Sequence, residues 1–330
     1  MKALVCTDRG VVLDDLPTPE LSAGDALVSV RAAGICNTDL ELARGYMNFR
    51  GVLGHEVLGQ VAAMHPDDEP FGHPRTSGEL AGRRVVMEIN CACGRCSTCR
   101  SGGRNHCPTR TVLGIVGRDG GIAEYVRIPL ENLHVVPDSI ADDHAVFIEP
   151  LAAALHAFDE APLRPGDRVC LLGDGKLGLL IGLAMAARRG DLGRAIAVGR
   201  HRANLDILAA AGLDVALEKN FSESGFDVVI EATGHPSGLA RAIEIVRPRG
   251  VIILKSTYAG ESNLDLAPIV IHEIKLVGSR CGDFARAIDV LSKGVIDPTP
   301  LIAAKYPLAD AERAFAHAGT PGVMKVMVVP

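Results

Sequence analysis

The chain has 330 residues, of which 48% are hydrophobic and 22% charged, with 36 glycines and no tryptophan, a composition typical of an ordered α/β protein. Its formal net charge is −6 and it contains no basic block, which argues against nucleic acid as a partner. No apolar run approaches the roughly 20 residues of a membrane span. The N-terminus MKALVCTDRG lacks the apolar core of a signal peptide. We therefore expect no membrane partner and a cytoplasmic location.

The length favours two domains, since a domain usually takes about 100–200 residues. Residues 1–149 alternate short apolar runs such as ALVSVRA with Gly- and Pro-rich turns, which predicts a mostly β domain. From residue 150 to 281 the pattern becomes strand, helix, strand, and continuous apolar runs such as RVCLL and AIAVG predict a doubly wound parallel sheet. Residues 282–330 are too few for a core of their own, so we expect them to rejoin the first domain. The segment from His65 to Gly82 is predicted to be a flexible loop.

Four of the nine cysteines lie close together in CACGRCSTCRSGGRNHC. Cys93, Cys96, Cys99 and Cys107 follow the spacing C-x2-C-x2-C-x7-C, which lets four thiolates surround one tetrahedral Zn²⁺ and close it off from substrate. Two alternatives remain: cysteines that are reduced or paired in disulfides, and a nucleic-acid zinc ribbon. The acidic charge and the 4% aromatic content count against the ribbon.

A second set of candidate metal ligands is dispersed along the chain. It comprises Cys36 in AGICNTDL, His55 and Glu56 in LGHEVLG, and Glu149 in FIEPLAAALHA. Taken singly, a histidine or cysteine among apolar neighbours is more often a packed core residue than a ligand. Together they offer the three protein ligands that a catalytic zinc needs, with one position left open for water or substrate.

Residues 173–178 read GDGKLG and fit the pattern G-x-G-x-x-G. The motif follows the apolar strand RVCLL and begins an apolar helix, as a dinucleotide-binding loop requires. The glycines permit a tight turn and close approach to a pyrophosphate at the helix N-terminus, while Asp174 must point away from it. The predicted cofactor contacts in this loop are Gly173, Gly175, Lys176, Leu177 and Gly178.

The end of the second strand decides between NAD and NADP, because an acidic residue there binds the ribose 2′-hydroxyl. The sequence AVGRHRANL has no acid at this point. Gly199 leaves room for a 2′-phosphate, and Arg200, with His201 or Arg202, can pair with it. NADP is therefore the expected cofactor and NAD the alternative. Thr233, in the EATG that ends a later strand, is a further candidate contact.

The motifs and their order along the chain resemble those of the medium-chain dehydrogenase/reductase family. The resemblance is specifically to its zinc-dependent alcohol and polyol dehydrogenases, such as sorbitol and threonine dehydrogenases. The motifs are Cys36 followed by Thr38, the triplet Gly54-His55-Glu56, the cysteine lobe, Glu149-Pro150-Leu151 and the glycine loop. The resemblance covers nearly the whole chain. It implies an α/β protein with a GroES-like catalytic domain at 1–149 and 282–330, a structural zinc lobe at about 91–107, and a Rossmann cofactor domain at 150–281.

The resemblance also implies roles for individual residues. Cys36, His55 and Glu149 would hold a catalytic zinc, so that each chain carries two Zn²⁺ ions. Glu56 would lie beside that metal, either as an occasional ligand or as a carboxylate that orients the ligands. Thr38 would begin a proton relay. Many relatives have a histidine five residues after the zinc cysteine, whereas this chain has Glu41, so either Glu41 or water passes the proton on.

The implied activity is a zinc-dependent alcohol dehydrogenase reaction. A hydride passes between a secondary alcohol or polyol and NAD(P), and zinc polarises the substrate oxygen. Residues 46–53 are expected to line the substrate pocket, and a homodimer or homotetramer is expected. A biosynthetic carbonyl reductase of the same fold and a non-catalytic, cofactor-binding relative remain as alternatives.

Overall fold

The computed structural model describes residues 1–65, 80–257 and 264–330. Most of the loop expected from His65 to Gly82 lies outside the described residues. The chain forms two compact units, Met1–Glu149 with Ile302–Pro330 and Pro150–Leu301.

The strands, in chain order, are β1 (Lys2–Thr7), β2 (Gly10–Asp15), β3 (Asp25–Ile35), β4 (Gly51–Val52), β5 (Glu56–Met64), β6 (Arg84–Met87), β7 (Asn90–Cys91), β8 (Thr111–Val112), β9 (Tyr125–Pro129), β10 (Leu133–Val135), β11 (Arg168–Leu172), β12 (Arg194–Gly199), β13 (Asp214–Leu217), β14 (Phe226–Glu231), β15 (Val246–Leu254), β16 (Lys275–Gly278), β17 (Ile302–Pro307) and β18 (Lys325–Val329). The α-helices are α1 (Asn37–Ala43), α2 (Ser97–Arg100), α3 (Asp142–Ala145), α4 (Ile148–Glu160), α5 (Lys176–Ala186), α6 (Arg202–Ala210), α7 (Pro236–Ile245), α8 (Ala267–Ile271), α9 (Phe284–Ser292) and α10 (Ala311–Ala318). Within the described ranges, no helix is both long enough and apolar enough to cross a membrane.

The first unit is mostly β, as predicted. Its larger sheet has the order β10-β6-β5-β3-β18-β17, with β9 also paired to β3, and a smaller sheet has the order β2-β1-β4. Strand β3 forms the centre of the larger sheet, and its second half is almost fully buried because β5 and β18 lie on its two sides. Glu56 in β5 lies opposite Gly34 in β3, and Val326 in β18 lies opposite Ile35. The first and last parts of the chain therefore meet beside Cys36.

The second unit contains the predicted parallel sheet. Its strand order is β13-β12-β11-β14-β15-β16, and every neighbouring pair is parallel. The strands β11 and β12 are buried beyond their first residue, as expected for a sheet covered by helices on both faces. The order reverses between β11 and β14, and ligands of such sheets bind beyond the carboxyl ends of the strands at that point.

The chain returns to the first unit at Ile302, whereas the sequence suggested a return at residue 282. The reason is helix α9, which lies in the second unit. It buries Phe284 and Leu291, and its Arg286 pairs with Asp159 of α4. The apolar face of α9 is visible in the sequence, but the core that receives it is not.

Candidate metal centres and cofactor loop

The four cysteines of the lobe form one cluster. Their Sγ atoms are 3.4 Å apart for Cys96 and Cys99, 3.6 Å for Cys93 and Cys107, and 3.9 Å for both Cys93–Cys99 and Cys96–Cys107. Sulfurs placed tetrahedrally at about 2.3 Å from a zinc ion would be roughly 3.8 Å from one another. A disulfide would instead need about 2.05 Å. The donor set therefore fits one tetrahedral zinc ion.

Short turns hold these thiols in place. Helix α2 begins after Cys96, whose Sγ accepts a hydrogen bond from the backbone N–H of Cys99 at 3.4 Å. Hydrogen bonds from the backbone N–H groups of Arg95 and Cys96 lower the pKa of Cys93 to about 5, while burial raises the pKa of Cys99 to about 12. Backbone donors thus favour the thiolate form, which binds zinc, at Cys93.

Cys36, His55 and Glu56 form a second cluster, in which one donor atom from each lies within 4.8 Å of the others. Cys36 precedes α1, and the chain enters β5 at Glu56. The antiparallel pairing of β3 with β5 brings these segments together. Both His55 and Glu56 are buried, at 3% and 1% exposure.

The cluster fits a metal ion. Among the described residues, Glu56 Oε1 is one of the few buried side-chain atoms that have no hydrogen-bond partner. Leaving such an atom unpaired costs about 1–3 kcal/mol, and more for a charged group, so a cation would be a natural partner. Thiolate, imidazole and carboxylate are the usual zinc ligands. Burial lowers the pKa of His55, but Asp39 and Cys36 outweigh it and hold that pKa well above its usual value, which shows how anionic the surroundings are.

Asp39 joins the segments that carry Cys36 and His55, and it was not predicted from the sequence. It is fully buried, and its Oδ2 accepts the backbone N–H of Cys36 at 2.8 Å while its Oδ1 accepts that of Gly54 at 3.1 Å. Oδ1 also lies 3.3 Å from Nδ1 of His55, which leaves Nε2 for a metal. An acid at the third position of a helix that begins after Cys36 fits a capping box and was the available signal.

Lys325 is the second residue that the sequence analysis missed. It lies in β18 and is only 3% exposed, and its Nζ donates to Oε2 of Glu56. Burial lowers the pKa of Lys325, but Glu56 and Cys36 outweigh this effect and raise it, so the lysine is charged. One oxygen of Glu56 is therefore held by a cation from the chain, and the other is not. A single lysine in the apolar run VMKVMVV was the only sign.

The remaining predicted residues lie at the edge of this cluster or outside it. Oγ1 of Thr38 is 3.8 Å from Sγ of Cys36. Glu149, in the first turn of α4, is not among the donor atoms that lie within 4.8 Å of one another, although its charge acts on Lys325. Glu41 pairs with Arg44 at 2.6 Å.

The glycine loop has the backbone that its sequence predicts. Gly173 has a φ of +115°, and a side chain there would overlap the carbonyl of Ala232. A side chain at Gly178 would overlap the carbonyl of Gly173. Gly175 precedes α5, which begins at Lys176, so the loop presents the helix N-terminus as an anion-binding site.

A cavity of about 510 Å³ lies at the carboxyl end of β12. Its lining residues are Gly199, Arg200, Arg202, Leu217, Glu218 and Lys219. Three of the six are cations, and Lys219 was not identified from the sequence. The fourth charged residue, Glu218, lies 3.7 Å from Arg200.

Two further residues predicted to bind the cofactor, His201 and Thr233, each contact an acidic side chain. His201 lies against Asp174, with its Nδ1 3.2 Å from Oδ2 of Asp174. Thr233, after β14, donates its hydroxyl to Oε1 of Glu231 at 2.6 Å. Glu231 is fully buried and orders the loop that follows its strand.

Comparison with known proteins gives independent evidence for the family to which the chain belongs. Residues 22–138 match the model of the alcohol dehydrogenase GroES-like domain, and residues 178–293 match that of zinc-binding dehydrogenases. Sorbitol dehydrogenase of Bacillus subtilis is 28% identical over 100% of this chain and 97% of its own. L-Threonine 3-dehydrogenase of Streptomyces avermitilis is 31% identical over 99% of both. An alcohol dehydrogenase from Escherichia coli CFT073, solved with NADH, has a TM-score of 0.90 and 26% identity, with coverage of 100% and 99%.

Proposed function

Because the chain belongs to the zinc-dependent medium-chain dehydrogenase/reductase family, we propose that Cys36, His55 and Glu149 hold its catalytic zinc, with Glu56 beside them. The family makes the chain an oxidoreductase that transfers a hydride between an alcohol or polyol and NAD(P). The observation that carries the site proposal is the cluster of half-buried Cys36 with buried His55 and Glu56, in which Oε1 of Glu56 has no hydrogen-bond partner among the described residues. We propose two zinc ions per chain, the second in the cysteine lobe.

A bound zinc supplies Lewis-acid polarisation of the substrate oxygen, and a bound nicotinamide cofactor accepts or donates the hydride. The residues of the chain prepare this chemistry. Asp39 holds the backbone at Cys36 and at Gly54, the residue before His55, through its two oxygens. Lys325 orients the Glu56 carboxylate by donating to Oε2. The hydroxyl of Thr38 can accept a proton from substrate and donate its own onward, and Glu41 or water would take it from there.

We propose a preference for NADP over NAD. The support is the cavity at the end of β12, where Arg200, Arg202 and Lys219 surround space for an anionic group. Arginine pairs well with phosphate, and three cations around one cavity favour a 2′-phosphate over a hydroxyl. Lys176 at the start of α5 adds a cation beside the glycine loop.

The substrate class remains a secondary alcohol or polyol. The segment Tyr46–Asn48 supports a role in substrate contact, because Tyr46 and Met47 expose their side chains and Met47 and Asn48 have left-handed φ values of 56° and 51°. Such backbone strain in non-glycine residues is concentrated at functional sites. Within residues 46–53, Phe49 is buried, whereas Arg50 is exposed.

We also propose a homo-oligomer in a reducing compartment such as the cytoplasm. Strand β16 is an edge of the described sheet, and exposed apolar side chains lie on it, on α8 and at the residue before α8. They are Leu266, Val270, Ile271 and Leu276. Edges and apolar patches of this kind favour association. None of the nine cysteines forms a disulfide, which fits reduced surroundings.

The experiment that tests the proposed function is metal analysis of the wild type and of Cys36→Ser and Cys107→Ser, together with NADP- and NAD-linked oxidation of a panel of secondary alcohols and polyols. We expect two zinc ions per wild-type chain and one in each variant. Cys36→Ser should stay folded and lose activity. One zinc per chain that is indifferent to Cys36→Ser would refute the catalytic site and leave only the lobe.

A further inference from the structure

Asp174, the second residue of the glycine loop, reaches the end of the neighbouring strand. It is 6% exposed, and its Oδ2 accepts the backbone N–H of His201 at 2.6 Å. Its backbone carbonyl accepts a hydrogen bond from Nδ2 of Asn204 at 2.9 Å. The residue therefore connects the loop after β11 to the start of α6.

The carboxylate of Asp174 lies directly against Gly199, the last residue of β12. A side chain at Gly199 would overlap Cγ of Asp174, so the glycine leaves room for this carboxylate. Gly199 also lines the cavity in which we place the 2′-phosphate of NADP. Dinucleotide-binding sheets commonly carry an acid at the end of the second strand. This chain lacks one in sequence but places a carboxylate there from the preceding loop.

Two opposite electrostatic influences therefore meet at one place. Arg200, Arg202 and Lys219 line the cavity and attract a 2′-phosphate. The negative charges of Glu218, which pairs with Arg200, and of Asp174, which lies against Gly199, oppose it. Oδ1 of Asp174 lies 3.3 Å from Nδ1 of His201. A carboxylate oxygen has two lone pairs, so this one retains the capacity to accept a hydrogen bond from a ribose hydroxyl.

We propose that Asp174 is a specificity-determining residue that keeps NAD competitive with NADP. Its carboxylate favours the 2′-hydroxyl of NAD and disfavours the 2′-phosphate of NADP, so that the three cations produce only a modest preference. The enzyme then uses both cofactors. This inference rests on the proposed function, since it concerns the ribose end of the same cofactor site.

The test is the dissociation constant of NADPH and of NADH, measured by fluorescence titration at one fixed salt concentration. We expect the wild type to bind the two within about tenfold of each other. Asp174→Asn keeps the shape and an acceptor for His201 but removes the charge, and it should shift the ratio towards NADPH by about tenfold. Asp191→Asn is the control. It also removes one negative charge, but at the amino end of β12 rather than at its carboxyl end, and it should leave the ratio unchanged.

Two results would overturn the inference: an unchanged ratio in Asp174→Asn, or a wild type that prefers NADPH by more than about a hundredfold. If Asp174→Asn does not fold, Asp174→Ser replaces it, and the wild-type ratio decides independently. A wild type that binds neither cofactor would instead refute the proposed function. Binding of both with an unchanged ratio in the variant would leave the proposed function standing.

Discussion

The two candidate zinc clusters of the first unit are assembled in different ways. The lobe takes its ligands from one short segment between Cys93 and Cys107, and its thiols contact one another at 3.4–3.9 Å. The second cluster depends on strand pairing, on the buried acid Asp39 and on Lys325, which lies 269 residues from its partner Glu56. A closed site can therefore be local, whereas a site that leaves a position open for substrate needs the tertiary fold to hold its ligands.

The largest expected effect concerns the lobe. Cys107→Ser should remove one zinc and destabilise the first unit by about 5 kcal/mol or more, because structural zinc contributes directly to folding. Metal analysis and thermal unfolding with and without chelator measure this. Cys281→Ser, a cysteine outside both clusters, is the control and should change neither quantity. A Cys107→Ser protein that keeps two zinc ions would show that the lobe is not a metal site.

Lys325→Met should lower the free energy of unfolding by about 3–5 kcal/mol, because it leaves Glu56 as an unpaired buried charge. The matched control is Lys305→Met on the neighbouring strand β17, where the pair with Asp143 is exposed and contributes at most about 1 kcal/mol. Urea unfolding compares the two. Equal losses in both variants would mean that burial of the Lys325 pair has no special cost.

Asp39→Asn should weaken zinc binding at the Cys36 cluster by about 10- to 100-fold while leaving the lobe zinc in place, because an amide cannot accept at both positions as the carboxylate does. Competition with a chelator reports the two sites separately. Asp14→Asn, an exposed acid in β2, serves as the control. If both zinc ions weakened together, Asp39 would matter for the whole unit rather than for one cluster.

The smallest effect is expected for Glu41→Gln. Glu41 pairs with Arg44, three residues further along the exposed surface, so the free energy of unfolding should change by less than about 0.5 kcal/mol. Turnover should fall mainly at low pH if Glu41 carries the proton onward from Thr38. Glu244→Gln, which breaks a similar pair with Arg241, is the control. An unchanged pH–rate profile would assign that step to water.

The sequence was sufficient wherever the signal was local. The cysteine spacing, the glycine loop after an apolar strand and the change from alternating to continuous apolar runs each predicted a feature that the structure contains. The contacts of Lys325 and Asp174 could not be predicted from the sequence, for a physical reason. Their partners are set by strand order and by the junction of two strands with their helices, and no spacing along the chain encodes either. The return of the chain at Ile302 could not be predicted for the same reason, because the core that receives α9 forms only in the tertiary fold.

The position of β18 also has a consequence for synthesis. Glu56 is translated 269 residues before Lys325, which at about 5–20 residues per second is a delay of roughly 15–50 s. During that time the nascent first unit lacks β17 and β18, and one side of β3 has no partner strand from them. The second unit, whose sheet is contiguous in sequence, is complete before them. We therefore expect the cofactor unit to fold during synthesis before the metal unit closes.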